Sequence, residues 1–117
     1  MASLEDKKRA VARYIETVSA GDLDGILSLY TEDATLEDPV GSAPVVGHAA
    51  IRAFYERATK MGIRLELTGP VRIAGDEAAF PFRVSTVGGP KMTIDVIDVF
   101  RFDEAGKVVS MRAYWGK

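Results

Sequence analysis

The run from Met92 to Phe102 alternates: Met92, Ile94, Val96, Asp98, Phe100 and Phe102 interleave with Thr93, Asp95, Ile97, Val99 and Arg101. A strand points successive side chains to opposite faces, so the first set shares one face, apolar except at Asp98. Towards the N-terminus the period is helical. Ser3 and Asp6 form a capping-box pattern, Leu4, Val11, Tyr14, Ile15 and Val18 recur on one stripe, and Gly21 closes a helix predicted over about 4–20. Asp22 caps a short second helix with Leu23, Ile26, Leu27 and Tyr30 as its apolar positions. Ala34 to Asp38 then reads as a strand stopped by Pro39, with Asp38 on the face of Ala34 and Leu36.

Gly41 to Gly47 is a loop rich in Gly, Pro and Ser. It leads into a third helix at about 48–60, where Ile51, Phe54, Tyr55 and Ala58 make a stripe and Arg52, Glu56, Arg57 and Lys60 are solvated. Beyond Gly62 the period becomes two. Ile63, Leu65, Leu67, Val71 and Ile73 line one face of a long strand bent at Gly69-Pro70. A second strand at about 77–87 aligns Phe80, Phe82 and Val84, and Gly88-Gly89-Pro90 turns into the Asp98 strand. A last strand, Lys107 to Trp115, aligns Val109, Met111, Ala113 and Trp115. Short connections make these strands antiparallel neighbours, and helices followed by a sheet predict an α+β domain with helices covering one face of a curved sheet.

Composition acts by exclusion. At 117 residues the chain, 1–117, is read as one domain. Fifteen Lys and Arg against seventeen Asp and Glu give a net charge of -2, so the charge pattern predicts no nucleic-acid partner and no membrane partner. With no Cys there is no disulfide or thiolate chemistry. The single histidine, His48, read as a surface residue, has no companion for a metal site or a triad, so neither is expected. The charged start lacks the apolar core of a signal peptide, and a cytoplasmic protein is the expectation.

Against this background two acids stand out. Keeping an Asp protonated at neutral pH costs about 4 kcal/mol, and burying it ionised costs several kcal/mol. Asp98 is therefore either a neutral hydrogen-bond donor aimed at a ligand oxygen, or a carboxylate held by an Arg or by backbone N–H groups. Asp38, beside a flexible loop, is suited to act as a base that takes a proton from carbon next to a carbonyl, or it simply caps a turn. Tyr14, on the buried stripe of the first helix, is either ordinary packing or a second neutral donor to the enolate oxygen. Phe80, Phe82, Val84, Met111 and Trp115 around Asp98 are either core or the wall of a pocket for a flat apolar ligand.

The stretches Ala12-Arg13-Tyr14, Ala20-Gly21-Asp22-Leu23-Asp24, Asp33 to Gly41, Phe54-Tyr55, Pro81 to Val84, Asp95 to Val99 and Met111 to Trp115 together resemble bacterial steroid Δ5-3-ketoisomerases, of the nuclear transport factor 2-like superfamily. That family supplies a known precedent for a neutral, donating aspartic acid. The resemblance implies a cone-shaped fold with three N-terminal helices on a curved, mostly antiparallel sheet, and conversion of Δ5- to Δ4-3-ketosteroids without a cofactor. It assigns Asp38 as the base, Tyr14 and Asp98 as donors to the dienolate oxygen, and Tyr30 and Tyr55 as the supporting hydrogen-bond network. Phe54, Phe82, Val84, Met111 and Trp115 become steroid contacts, and a homodimer is expected. The competing expectations are another enolising enzyme or cyclase on the same fold, and a binding module for apolar ligands.

Overall fold

The structure, a computed structural model, describes residues 2–116. Three helices, α1 (Leu4–Ala20), α2 (Leu23–Leu27) and α3 (His48–Lys60), pack on a sheet of seven strands: β1 (Tyr30–Glu37), β2 (Val45–Val46), β3 (Ile63–Leu67), β4 (Arg72–Ala74), β5 (Glu77–Thr86), β6 (Thr93–Phe102) and β7 (Val108–Trp115). The sheet order is β2-β1-β7-β6-β5-β3, with β4 also on β5. Every pairing is antiparallel except β1 with β7, which is parallel. This is the α+β architecture expected from the sequence, N-terminal helices on a mostly antiparallel sheet.

Local chemistry sets the first helix. The Ser3 side chain accepts from the Asp6 N–H while the Asp6 carboxylate accepts from the Ser3 N–H, and Gly21 ends the helix at a φ of 67°, where a Cβ would be strained. Its inner stripe, Val11, Tyr14 and Val18, meets Ile26, Ile51 and Tyr55 from the other helices and Phe80 and Phe100 from the sheet. The Phe100 ring lies edge-on to both Tyr14 and Phe80, with centroids 5.1 and 5.0 Å apart. Such pairs add about 0.5–1.5 kcal/mol beyond area burial.

Several boundaries differ from the sequence reading. Tyr30 does not extend α2; it begins β1, where its alternation with Ala34 and Leu36 reaches the same core from the sheet side. Two residues of the expected 41–47 loop, Val45 and Val46, pair with Leu36 and Thr35 as β2. The long bent strand is two strands, β3 and β4, that pair with successive stretches of β5, leaving Leu67 exposed beside the break. Leu4 is 52% exposed, and its place near the first turn is taken by buried Lys7, whose ammonium donates to the Gly75 carbonyl over 2.6 Å.

The last strand carries a β-bulge. Arg101 pairs with Ser110 but Phe102 pairs with Val108, so Val109 is an extra residue. Alternation broken there buries Val108 fully in place of Val109, while Met111 and Ala113 stay inward. Met92 lies outside β6 and is exposed. His48 is only half-buried at the start of α3, its Nε2 2.9 Å from the Tyr30 carbonyl. No helix among the described residues is long and apolar enough to cross a membrane.

Candidate active site

A cavity of about 400 Å³ opens between the helices and the sheet, within the range of ligand pockets. Its floor follows β6 through Ile94, Val96 and Asp98, and its walls come from Tyr14, Phe54, Phe82, Val84 and Trp115, among others. At the inner end Tyr14, Tyr55 and Asp98 are almost wholly buried, whereas Trp115, Arg57 and Met61 are exposed at the mouth. Apart from Asp38 the remaining lining is apolar, and among the described residues no group of three or more His, Cys, Asp or Glu could hold a metal.

Asp98 sits between Phe80 on β5 and Ala113 on β7, both buried, so no neighbouring strand offers it a charge. It is 1% exposed, and among the described residues neither carboxyl oxygen has a hydrogen-bond partner. Burial, chiefly, and the negative charge of Asp38 raise its pKa well above the ordinary carboxylate value; the nearby Tyr14 hydroxyl works the other way. The salt-bridged alternative is thereby removed: none of the arginine pairs involves Asp98.

Three tyrosines from three elements meet beside it. The Tyr55 hydroxyl lies 3.0 Å from that of Tyr14 and 2.7 Å from that of Tyr30. Burial pushes all three phenols well above their usual value, so each remains a neutral hydroxyl. With Tyr30 donating to Tyr55 and Tyr55 to Tyr14, the Tyr14 proton is left for the cavity. Tyr30 itself does not reach the lining.

Asp38 follows β1 directly, and its surroundings fix it from both sides. The Glu37 carboxylate accepts from the Gly41 N–H and from Arg112 Nε, at 3.1 and 3.0 Å, and the Val40 N–H donates to the Ala113 carbonyl over 2.8 Å. The peptide between Asp38 and Pro39 is cis. Trp115 Nε1–H donates to Asp38 Oδ1 over 2.8 Å. Burial raises the Asp38 pKa and this indole hydrogen bond works against it. The pocket therefore has the Asp38 carboxyl group at its rim and the Tyr14 hydroxyl and Asp98 carboxyl group at its inner end.

Of the residues singled out in the sequence, Tyr14, Asp38, Phe54, Tyr55, Phe82, Val84, Asp98 and Trp115 line this cavity. Met111 does not. It is fully buried, paired with Phe100 and Leu36 deeper in the core. Sequence reasoning missed Val18, Arg57, Ala58, Met61, Ile63, Leu65, Ile94 and Val96 as lining residues. Ile94 and Val96 were on the right face of the Asp98 strand, and Ala58 was on the right stripe of α3. Arg57 and Met61 carried no signal, because charged and chain-terminal helix positions read as solvated.

Comparison with known proteins adds three relatives. The steroid Delta-isomerase of Nocardioides simplex is 46% identical over 109 residues, covering 92% of this chain and 88% of that protein. The epoxide hydrolase LasB of Streptomyces lasalocidi is 34% identical over 117 residues, covering 94% of this chain but only 41% of LasB. Among solved structures, the epoxide hydrolase/cyclase-like enzyme SalBIII, described for pyran ring formation in polyether salinomycin, superposes with a TM-score of 0.91 at 32% identity, covering 99% of this chain and 95% of that one. Residues 11–111 match the SnoaL-like domain. With most of its length matched to that domain and to the Nocardioides isomerase, the chain belongs to the SnoaL-like family of nuclear transport factor 2-like folds.

Proposed function

We propose that the protein is an isomerase that converts Δ5-3-ketosteroids into their conjugated Δ4 isomers. One observation carries the reading: Asp98, buried at the end of an apolar cavity, has both oxygens unpartnered beside Tyr14. An acid held neutral by its surroundings has a proton to donate, and the cavity is where a recipient oxygen fits. The 46% identical relative named as a steroid Delta-isomerase supports the same substrate class.

In this reading the steroid enters with its 3-keto oxygen towards Tyr14 and Asp98. Asp38, ionised, removes a proton from C4; the C4–H electron pair forms the dienolate, and its negative charge collects on O3. Neutral donors stabilise that oxygen without introducing a cation, and each typically accounts for about 2.7–4 kcal/mol of transition-state stabilisation. Asp38 then returns the proton to C6, leaving the double bond between C4 and C5 and the carboxylate regenerated. Phe54, Phe82, Val84 and Trp115 hold the flat ring system, and the apolar lining keeps water from competing for the dienolate.

The test follows near-ultraviolet absorbance as 5-androstene-3,17-dione becomes conjugated. Asp38→Asn is expected to lower the rate roughly 10²–10⁴-fold; retention of full activity in that variant overturns the assignment of the base. A second reading has its own support in LasB and SalBIII: the same donors protonate an epoxide oxygen while Asp38 takes the proton of an attacking hydroxyl. Turnover of an epoxy alcohol with no turnover of the steroid would favour it. The homodimer belongs to the same reading, with half-exposed Ile97 and Tyr114 on the outer sheet face as its apolar contacts, and sedimentation tests it.

A further inference from the structure

The mouth of the cavity contains one feature that proton transfer between C4 and C6 does not use. Arg57 is the only cationic side chain among the lining residues. It lies on the cavity face of α3, one turn beyond Phe54, and is exposed. Among the described residues its guanidinium makes no ion pair or hydrogen bond, in contrast to Arg52, Arg83 and Arg112, which are each held by a carboxylate. Arg13, Arg64, Arg72 and Arg101 are also without an ion pair, but none of them lines this cavity.

The arrangement is polar along its length. The floor from Asp98 to Ile94 spans four residues of β6, about 13 Å at the rise of a strand, comparable with an elongated fused-ring ligand. Tyr14 and Asp98 close the inner end, Asp38 stands at the rim, and a planar cation is exposed at the mouth. A negative group on the ligand finds no cation at the inner end when it enters first and is met by a fork of N–H donors when it enters last.

We propose that Arg57 determines specificity for ligands bearing a carboxylate at the end remote from the reacting ketone. Resting on the isomerase reading, this makes the preferred substrates 3-ketosteroids with an acidic side chain on the distal ring, whose formation requires an earlier oxidation of that side chain. Arg57 recognises the group that distinguishes such a steroid and also sets which end enters the cavity.

Binding tests this without turnover. Two Δ4-3-ketosteroids, one neutral on the distal ring and one carrying a carboxylate side chain there, are titrated against the protein by Trp115 fluorescence, together with Arg57→Gln and Arg57→Lys. The ratio of the two dissociation constants is expected to shift about fivefold against the carboxylate in Arg57→Gln, the range of a solvent-accessible ion pair. It recovers in Arg57→Lys and shrinks in high salt. An unchanged ratio in Arg57→Gln, or failure of the carboxylate steroid to bind, overturns the proposal. Turnover of the matching Δ5 compounds is followed separately. A shifted ratio without isomerisation sinks the isomerase reading alone, and isomerisation with an unshifted ratio sinks the role of Arg57 alone.

Discussion

Trp115 Nε1–H donates to Asp38 Oδ1 across 2.8 Å, joining two residues 77 positions apart in the chain. The indole thus does more than wall the pocket. It stabilises the ionised form of the candidate base in surroundings that otherwise disfavour it. Trp115→Phe keeps the apolar wall and removes the donor, so the Asp38 pKa is expected to rise further. A base works in its deprotonated form, and the acid limb of the kcat/KM profile should move to higher pH, with a smaller loss on the plateau. An acid limb that stays in place in the variant would show that this hydrogen bond does not tune the base.

Asp98 makes a distinct prediction about stability. Its carboxyl ionises near the ordinary value of 3.8 once the chain unfolds, but burial in the fold raises its pKa well above that. Its favourable contribution is therefore complete below about pH 4 and declines as the pH rises towards the raised folded value. Asp98→Asn has no such ionisation and keeps a donor of nearly the same shape. The melting temperature of the variant relative to the unmodified protein should increase by several degrees between about pH 4 and pH 7. A difference independent of pH means that Asp98 ionises normally in the fold.

The tyrosine chain allows a graded comparison. Tyr14→Phe removes the donor that faces the cavity and should lower kcat roughly 10²–10³-fold with little change in KM. Tyr55→Phe leaves that donor but strips both buried neighbours, Tyr14 and Tyr30, of their shared partner. Its main cost is expected in stability, about 1–3 kcal/mol by denaturant unfolding, with a smaller loss of rate. Equal rate losses in the two variants would contradict a chain that hands its last proton to the cavity.

The bulge in β7 separates two adjacent valines. Val108 is fully buried and Val109 only partly so. Val108→Ala should destabilise the fold by about 2 kcal/mol and Val109→Ala by clearly less, measured by urea denaturation. The reverse order would restore the unbulged register.

Those valines also mark where sequence patterns stop being informative. β6 was legible because its alternation runs unbroken from Ile94 to Phe102, and α1 because its capping box, stripe and terminal glycine all agree. In β7 an uninterrupted period of two pointed to Val109, and one inserted residue reversed that locally. An apolar residue at position 30 fits the end of a helix or the start of a strand, and only the pairing of β1 with β7 distinguishes them. Met111 shares a strand face with Ala113, but alternation does not tell which part of a face is filled core and which lines a cavity. The paired acids and Tyr14 were readable because polar groups on apolar faces need a reason. The partner of Asp38, the bracket formed by Glu37, and Arg57 at the mouth depend on contacts between distant segments and left no local trace.

The parallel pairing of β1 with β7 has a consequence for the order of assembly. Glu37 and Asp38 emerge early in synthesis, but the strand that holds them, with Arg112, Ala113 and Trp115, is the last of the seven. Contacts of such long sequence separation form late because loop closure precedes any gain from them. A nascent or refolding chain can therefore have its helices and central hairpins in place while Asp38 is still unanchored, and recovered activity should lag behind recovered helix signal.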